Sequence, residues 1–255
     1  MTAPRFDVLD ATAVDSPWRG VHVARYEFAL SNGISGRVLD VACGSGYGTR
    51  LLANRGLHPV GLDLDPESVR ITSPWAPATC GSGSRLPFRS RSFDAVVSFE
   101  TIEHLHDPED FVCELHRVLC PGGLLVLSTP NAHYTRPIAG RPRNPHHVRE
   151  FTPNELRDLL AVRFDDVRLL GQGFNHHVRV SPFLDDQQRL PRTLINRGTI
   201  LTWRVLNKAP AALRDRLSRA FWGHTLYLTE SDYRFDEELV EAAPVIVAVM
   251  CRPEA

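Results

Sequence analysis

Two glutamates and a histidine stand close together in the segment FETIEHLHD and carry groups suited to acid–base or metal chemistry. Glu103 and His104 follow Glu100 by three and four residues, a spacing that places side chains on one face of a helix. Such a set can bind a divalent cation such as Mg²⁺, and His104 alone can serve as a general base toward a hydroxyl. In a third alternative, Glu100 orients a ligand while the other two pack the start of a helix. The sequence leaves these alternatives open.

A second polar group lies in the segment RPRNPHHVREF, residues 141–151. It follows the apolar run LLVLST, and α/β folds bind ligands outside the carboxyl ends of their strands. His147 is therefore a second candidate base. The alternative is a polar loop in which His146 and His147 only hydrogen-bond to the backbone.

A glycine-rich turn follows the short apolar run RVLDVA, in the segment DVACGSGYG. Glycines allow the backbone to pass close to a ligand, because a Cβ atom would collide with it, and the next helix points its N-terminus at the same place. Asp63 follows Asp40 by twenty-three positions, where a carboxylate can accept both hydroxyl protons of a ribose. These features predict a nucleotide-like ligand.

A dinucleotide oxidoreductase is the main rival interpretation. Its fingerprint GxGxxG requires a glycine three positions after Gly46, where this chain has Thr49. Asp40 also precedes the turn, and its charge disfavours a diphosphate while it favours a cofactor with a sulfonium and an ammonium group.

The elements around these residues alternate between strand and helix patterns, which indicates a parallel sheet with right-handed crossovers. We predict a doubly wound α/β fold, with a mostly parallel seven-stranded sheet, helices on both faces and a helical insertion before the last strand. Strands are expected at 37–42, 59–65, 93–100, 124–129, 164–171 and 243–251, and helices at 21–31, 49–54, 108–119 and 151–160, with a loop at 66–92 and a turn at 121–123.

The ordered motifs resemble those of class I S-adenosylmethionine-dependent methyltransferases. VLDVACGSGYG resembles their first motif, VGLDLD resembles the next strand, and RLPFRSRSFDAVVSFETIEHLHD and LHRVLCPGGLLVLSTPN resemble later motifs, over residues 20–170. The spacing ExxEH resembles that of ubiquinone O-methyltransferases, where such a triad is implicated in metal binding. NPHHVREFTPNEL resembles a segment of bacterial sugar and glycolipid methyltransferases.

The resemblance implies S-adenosylmethionine as cofactor, S-adenosylhomocysteine as product, and a set of contact residues. It implies that Asp63 holds the ribose, that the Gly44–Gly46 turn packs against the amino acid part, and that Arg25 reaches the cofactor carboxylate. The predicted cofactor residues are Arg25, Asp40, Gly44, Ser45, Gly46, Asp63, Leu64, Ser82, Gly83 and Phe99, and the predicted catalytic residues are His104, His147 and Glu100. No metal is assigned, and the cation alternative rests on Glu100, Glu103 and His104. Ser82 stands where the family often has an acid that contacts adenine.

The composition is that of an ordinary globular protein. The chain has 255 residues and a formal net charge of −1, which gives no general attraction to nucleic acid or anionic membranes. Its five cysteines form no CxxC pair, so we expect a reducing compartment. With no secretory signal and no apolar stretch long enough to span a bilayer, we expect a cytoplasmic protein. The sequence leaves open whether the protein forms homo-oligomers.

We predict one methyltransferase domain divided into four parts. Residues 1–32 form an N-terminal helical lid, 33–171 the cofactor-binding core, 172–235 a helical insertion that binds the acceptor, and 236–255 the last strand. The aromatic residues of the insertion are expected mostly in its core, with Trp222, Tyr227 or Tyr233 as alternatives that stack on an acceptor ring.

The predicted reaction is methyl transfer to a hydroxyl oxygen of a small molecule: a sugar, a glycolipid or a secondary metabolite. An aliphatic hydroxyl is a poor nucleophile and needs a base beside it, which the surplus of histidines and carboxylates can supply. The alternatives are N- or C-methylation, and a silent protein that only binds the cofactor.

Overall fold

The computed structural model describes residues 16–178, 201–202 and 205–254. Its strands are β1 (Arg37–Val41), β2 (His58–Asp63), β3 (Ala78–Cys80), β4 (Phe93–Phe99), β5 (Leu119–Pro130), β6 (Asp165–Phe174), β7 (Tyr233–Asp236) and β8 (Val245–Cys251). Its helices of the α type are α1 (Arg19–Ser31), α2 (Tyr47–Asn54), α3 (Pro66–Thr72), α4 (Pro108–Val118), α5 (Ala132–Thr135), α6 (Pro153–Ala161) and α7 (Ala211–Trp222). Short 3₁₀ turns lie at Ile102–His104, Glu230–Asp232 and Glu237–Leu239.

The strands form one sheet in the order β3-β2-β1-β4-β5-β8-β6-β7. Pairing is parallel from β3 through β5, and β8 runs antiparallel to both β5 and β6. The predicted α/β class and mostly parallel sheet are therefore confirmed, with eight strands rather than seven. The prediction missed β3, three residues in a proline-rich segment, and β7, four residues near the sheet edge; both are too short to show a hydrophobic pattern.

Alternate side chains of the central strands enter two separate cores, one on each face of the sheet. Leu39 and Val96 belong to a core with Phe111 of α4 and Leu156 of α6. Their neighbours on the same strands belong to a second core, which includes residues of α1 and α2. Strands buried on both faces read as continuous apolar runs, which is why the sequence revealed them.

Of the described residues, 25–173 and 235–254 form one compact unit, here called the core unit. Residues 16–24, 174–178, 201–202 and 205–234 belong to another, here called the second unit. No helix among these described residues has the length and apolar character needed to cross a membrane.

Two local expectations are wrong. Part of the predicted loop at 66–92 is α3, which begins after the N-cap residue Asp65, whose carboxylate accepts hydrogen bonds from the backbone N–H groups of Glu67 and Ser68. The predicted turn at 121–123 lies inside β5: Gly122 has φ +71°, and the pairing with β4 shifts register there. The predicted capping box of α6, between Thr152 and Glu155, is confirmed.

Candidate active site

The glycine turn between β1 and α2 presents only one of its glycines to open space. Gly44 and Gly46 both have left-handed backbone conformations, with φ +54° and +73°. A Cβ on Gly44 would meet nothing within 4 Å, whereas one on Gly46 would lie 2.3 Å from Oγ1 of Thr72 and one on Gly48 would lie 1.8 Å from the ring of Tyr26. Gly44 therefore borders a cradle that a side chain would fill, while the other two glycines serve the packing of the protein.

Asp63, at the end of β2, is held beside this cradle by two backbone donors. Its Oδ2 accepts from the N–H of Gly44 at 2.8 Å, and its Oδ1 accepts from the N–H of Asp65 at 2.9 Å. A carboxylate has about four acceptor positions, so capacity remains for the two hydroxyls of a ribose. The next side chain, Leu64, is 73% exposed. An acid beside an open apolar surface fits the ribose and adenine of S-adenosylmethionine.

The loop after β3, which contains Ser82 and Gly83, follows the strand that pairs with β2 beside Asp63. The Oγ of Ser82 accepts from the N–H of Ser84 at 3.3 Å, and a Cβ on Gly83 would lie 2.7 Å from the ring of Phe111. Gly83 is thus required by packing. Cys80, which the sequence did not single out, pairs in register with Asp63 and donates its exposed thiol to the carbonyl of Leu64 at 3.3 Å.

Asp40, predicted to contact the cofactor, directs its carboxylate into the protein. Tyr26 donates to its Oδ1 at 3.0 Å and Thr49 donates to its Oδ2 at 2.6 Å. Burial raises the pKa of Asp40 to about 6, although the hydrogen bonds from Thr49 and Tyr26 lower it. Asp40 thereby ties α1 and α2 to the end of β1.

The buried Arg25 pairs with the partly exposed Glu100 at the end of β4. Nη1 of Arg25 lies 3.3 Å from Oε1 of Glu100, and its Nε donates to Oε1 of Gln172 at 2.7 Å. Ser128 also donates to Oε1 of Glu100, at 2.9 Å. The arginine predicted to reach the cofactor carboxylate is thus 2% exposed and already has two acceptors of its own chain. Phe99, just before Glu100, packs its ring edge-on against Tyr26 at 4.8 Å.

The three residues of the ExxEH pattern do not share a helical face, so that expectation is wrong. Glu100 has φ +54°, which a helix does not allow, and Glu103 and His104 lie in a 3₁₀ turn. Glu103 is fully buried: its Oε2 accepts from Thr129 at 2.9 Å, and its Oε1 has no hydrogen-bond partner. Burial and the charge of Glu100 raise the pKa of Glu103 well above its ordinary value.

His104 has one ring nitrogen engaged and one free. Its Nδ1 lies 2.9 Å from the carbonyl oxygen of His146, so Nδ1 carries the hydrogen and Nε2 carries the lone pair. Nε2 lies 3.9 Å from Oε1 of Glu103. Burial lowers the pKa of His104, so its ring is neutral at pH 7 and Nε2 can accept a proton.

The backbone holds this arrangement as well. The carbonyl oxygen of Glu103 accepts from the N–H groups of both Val148 and Arg149, at 2.8 and 3.2 Å. The segment around the second predicted base is therefore attached directly to the 3₁₀ turn.

His147 lies against His104, with ring centroids 5.0 Å apart, but both of its ring nitrogens are engaged. Nδ1 lies 2.7 Å from Oε1 of Glu150, and Nε2 lies 2.9 Å from Nδ2 of Asn144. The carboxylate requires a donor and the amide N–H₂ an acceptor, so His147 has no free lone pair. Glu150, which also accepts from Thr135, is a partner that the sequence did not reveal.

The residues that could bind a cation differ from those that the sequence predicts. Among the described residues, ligand atoms of Glu103, His104 and His147 lie within 4.8 Å of one another. Glu100, predicted in that set, is instead paired with Arg25 and Ser128. One carboxylate with two imidazoles suits first-row transition metals better than Mg²⁺, and His147 would first have to release a partner.

Comparison with known proteins places this site in a family. Residues 39–127 match the family model "Methyltransferase domain". The chain is 40% identical over 154 residues to a probable S-adenosylmethionine-dependent methyltransferase of Mycolicibacterium smegmatis, a match that covers 59% of this chain and 60% of that protein. The chain thus spans less than two thirds of that relative's length. It is 29% identical over 200 residues to a ubiquinone biosynthesis O-methyltransferase of Xanthomonas axonopodis, covering 68% of this chain and 82% of that protein.

Solved structures show the same fold. A Thermotoga maritima S-adenosylmethionine-dependent methyltransferase, described as a possible histamine N-methyltransferase, superposes with a TM-score of 0.60 at 16% identity, covering 92% of this chain and 91% of that one. The predicted fold is confirmed, and residues 39–127 are similar to a methyltransferase domain, in agreement with the predicted enzyme class and cofactor.

Proposed function

We propose that this protein transfers the methyl group of S-adenosylmethionine to a hydroxyl oxygen of a small molecule, such as a sugar, a glycolipid or a secondary metabolite. The observation that carries the proposal is the fixed tautomer of His104, which leaves a neutral Nε2 with a lone pair beside the end of β4. An amine acceptor would need no such base, whereas an aliphatic hydroxyl does. The name of the Xanthomonas relative supports transfer to oxygen.

His104 is the general base in this proposal. As the acceptor oxygen attacks the methyl group, Nε2 takes the hydroxyl proton, and the Nδ1–H bond to the carbonyl of His146 keeps the ring oriented. Nε2 of the resulting imidazolium lies 3.9 Å from Oε1 of Glu103, which is too long for a hydrogen bond. His147 is a positioning residue, since its nitrogens are engaged and its ring packs edge-on against His104.

The cofactor residues of the proposal divide into two groups. Asp63, Leu64 and the cradle at Gly44 would hold the ribose, the adenine and the amino acid part, respectively. The charge around the bound cofactor would be set by Asp40 and by the pair of Arg25 and Glu100. S-adenosylmethionine supplies an electrophilic methyl group on a sulfonium, and the protein aligns the acceptor and excludes water.

The four-part division of the chain stays part of the proposal. We propose that the segment 172–235 binds the acceptor and that the N-terminal segment 1–32 covers the cofactor. Only residues 16–32, 172–178, 201–202 and 205–235 of these two segments are described.

Measuring transfer of labelled methyl to a panel of sugars, phenols, quinones and amines, followed by mapping of the methylated atom, tests the reaction. We expect O-methylated products. In His104→Gln, turnover should fall by about 10²–10⁴-fold while the affinity for S-adenosylmethionine is unchanged. His106→Gln is the matched control, because His106 is an exposed histidine two residues further along, and it should keep wild-type turnover.

The pH profile gives an independent readout. The base acts when it is neutral, so kcat/KM should fall as the pH drops through the pKa of His104, below the ordinary value for histidine. A product methylated at nitrogen or carbon, or a His104→Gln variant with wild-type turnover, would contradict the proposal. Stabilisation by S-adenosylmethionine in a thermal-shift titration without turnover on any acceptor would favour the silent binding protein.

A further inference from the structure

The helix α7 of the second unit buries two polar side chains and exposes large apolar ones. Arg214 and Ser218 are buried on its inner face. The guanidinium of Arg214 stacks over the ring of Tyr227 at 4.0 Å, and Ser218 donates to the carbonyl of Arg214 at 2.6 Å. A buried arginine on a helix that exposes large apolar side chains departs from the usual pattern of a helix on a water-facing surface.

The outer face of α7 carries an apolar stripe. Leu213 and Phe221 are 49% and 66% exposed, and Leu217, halfway between them, is partly exposed. Spacings of four residues place these three side chains in one row along the helix. A row of large apolar side chains in water, when Leu206, Leu226 and Leu228 of the same unit are buried, indicates a surface that binds something.

The exposed charged residues on and just before α7, within the part of the chain that the structure describes, are mainly basic. Arg216 and Arg219 lie exposed on the neighbouring side of α7, and Lys208 lies exposed just before the helix. The single acid of the helix, Asp215, accepts from Arg214 at 3.1 Å, so its charge is paired. The formal charge of the whole chain, −1, conceals this local excess of positive charge.

A cleft opens beside the end of the stripe. It has a volume of about 370 Å³ and is lined by His176, His177, Arg219, Phe221 and Trp222, among others. Nε2 of His177 lies 2.6 Å from Oδ1 of Asp232, which holds its ring in place. The cationic and aromatic lining of the cleft suits a negatively charged head group with an apolar neighbour.

We propose that α7 lies on an anionic lipid surface, with the row Leu213–Leu217–Phe221 in the apolar boundary layer and Arg216 and Arg219 at the phosphate level. Helices of this kind combine an apolar face with a basic polar face. A second copy of the chain fits this surface less well, because a two-fold contact would bring identical arginines together. The proposal goes beyond the methyl-transfer reaction and does not depend on it.

Co-sedimentation of the full chain with phosphatidylcholine vesicles, with and without phosphatidylglycerol, tests this proposal. We expect binding only to the anionic vesicles, weakened by added salt. Arg216→Gln and Arg219→Gln should each weaken binding about fivefold, and Phe221→Ser should weaken it about tenfold or more. The matched controls, Val162→Ser and Arg89→Gln, change an exposed valine and an exposed arginine of the core unit and should bind like the wild type.

Sedimentation velocity without lipid tests the alternative that a second copy of the chain binds to this surface. A monomer that binds anionic vesicles through α7 supports the proposal. No binding to phosphatidylglycerol vesicles, equal losses in the control variants, or a wild-type dimer that Phe221→Ser dissociates would each overturn it. Because vesicle binding is measured without a methyl donor or acceptor, failure here leaves the proposed reaction untouched, and the reverse also holds.

Discussion

Replacing Asp40 by asparagine should make the protein less sensitive to pH between about pH 4 and 7. Asp40 is buried, and its pKa is raised to about 6 from the ordinary 3.8. The folded state therefore holds a proton on this carboxyl at pH values where the unfolded chain has lost it. Since stability rises with pH only where the unfolded state binds more protons, this group makes the folded state less stable as the pH rises.

The size of the effect follows from the same two values. The difference between about 6 and 3.8 is about 2.2, which at 1.36 kcal/mol per pKa unit is about 3 kcal/mol in full. About 2 kcal/mol of this remains between pH 4.5 and 7.5, because part of the change lies below pH 4.5. Asparagine cannot ionise, so the free energy of unfolding of Asp40→Asn should not show this decrease between pH 4.5 and 7.5.

Urea unfolding of both proteins across that pH range measures the difference. Glu103, whose pKa is also raised by burial, is present in both proteins, so its contribution cancels in the difference. Asp110→Asn, a change at an exposed carboxylate, should follow the wild type. If the curves of Asp40→Asn and wild type run parallel within about 0.5 kcal/mol, the account of Asp40 is wrong. We also expect the variant to bind S-adenosylmethionine more weakly, because it lacks the charge that attracts the sulfonium.

Three further predictions concern the glycine turn and α6. Gly48→Ala should lower the free energy of unfolding by about 1–3 kcal/mol, because its Cβ would lie 1.8 Å from the Tyr26 ring; a wild-type melting temperature would contradict this. Gly44→Ala, with φ +54° and open space around its Cβ, should cost only about 1–2 kcal/mol yet abolish S-adenosylmethionine binding in calorimetry; unchanged affinity would show that the cradle is not used. Thr152→Ala, which removes the capping box of α6, should cost about 1 kcal/mol, whereas Thr152→Ser should restore most of it.

Local patterns predicted the elements that build the cofactor edge. The buried runs around Val38 and Val96 indicated strands because both of their faces are covered, and the glycines and Asp63 marked the turn. The helix α3 also carried a readable signal, Asp65 followed by Pro66, since an N-cap residue before a proline is typical of a helix start. It was missed because prolines and glycines dominate the segment that follows.

Sequence patterns could not predict the partners of the candidate site residues. Gln172 contacts Arg25 across 147 residues of chain, and no local spacing records such a contact. Glu150 lies only three residues from His147, but its role depends on the loop conformation. The helical reading of FETIEH failed because Glu100 adopts a left-handed backbone conformation, which spacing alone does not reveal.

The paired N–H groups of Val148 and Arg149 on the carbonyl of Glu103 have a consequence for recombining this protein with its relatives. The loop 141–151 and the turn 102–104 lie far apart in the sequence, yet each completes the hydrogen bonding of the other. A chimera that receives only one of the two from another methyltransferase must find new partners for these amides. The two segments therefore form one exchangeable module, and His104 should keep its orientation in a chimera only when both are exchanged together.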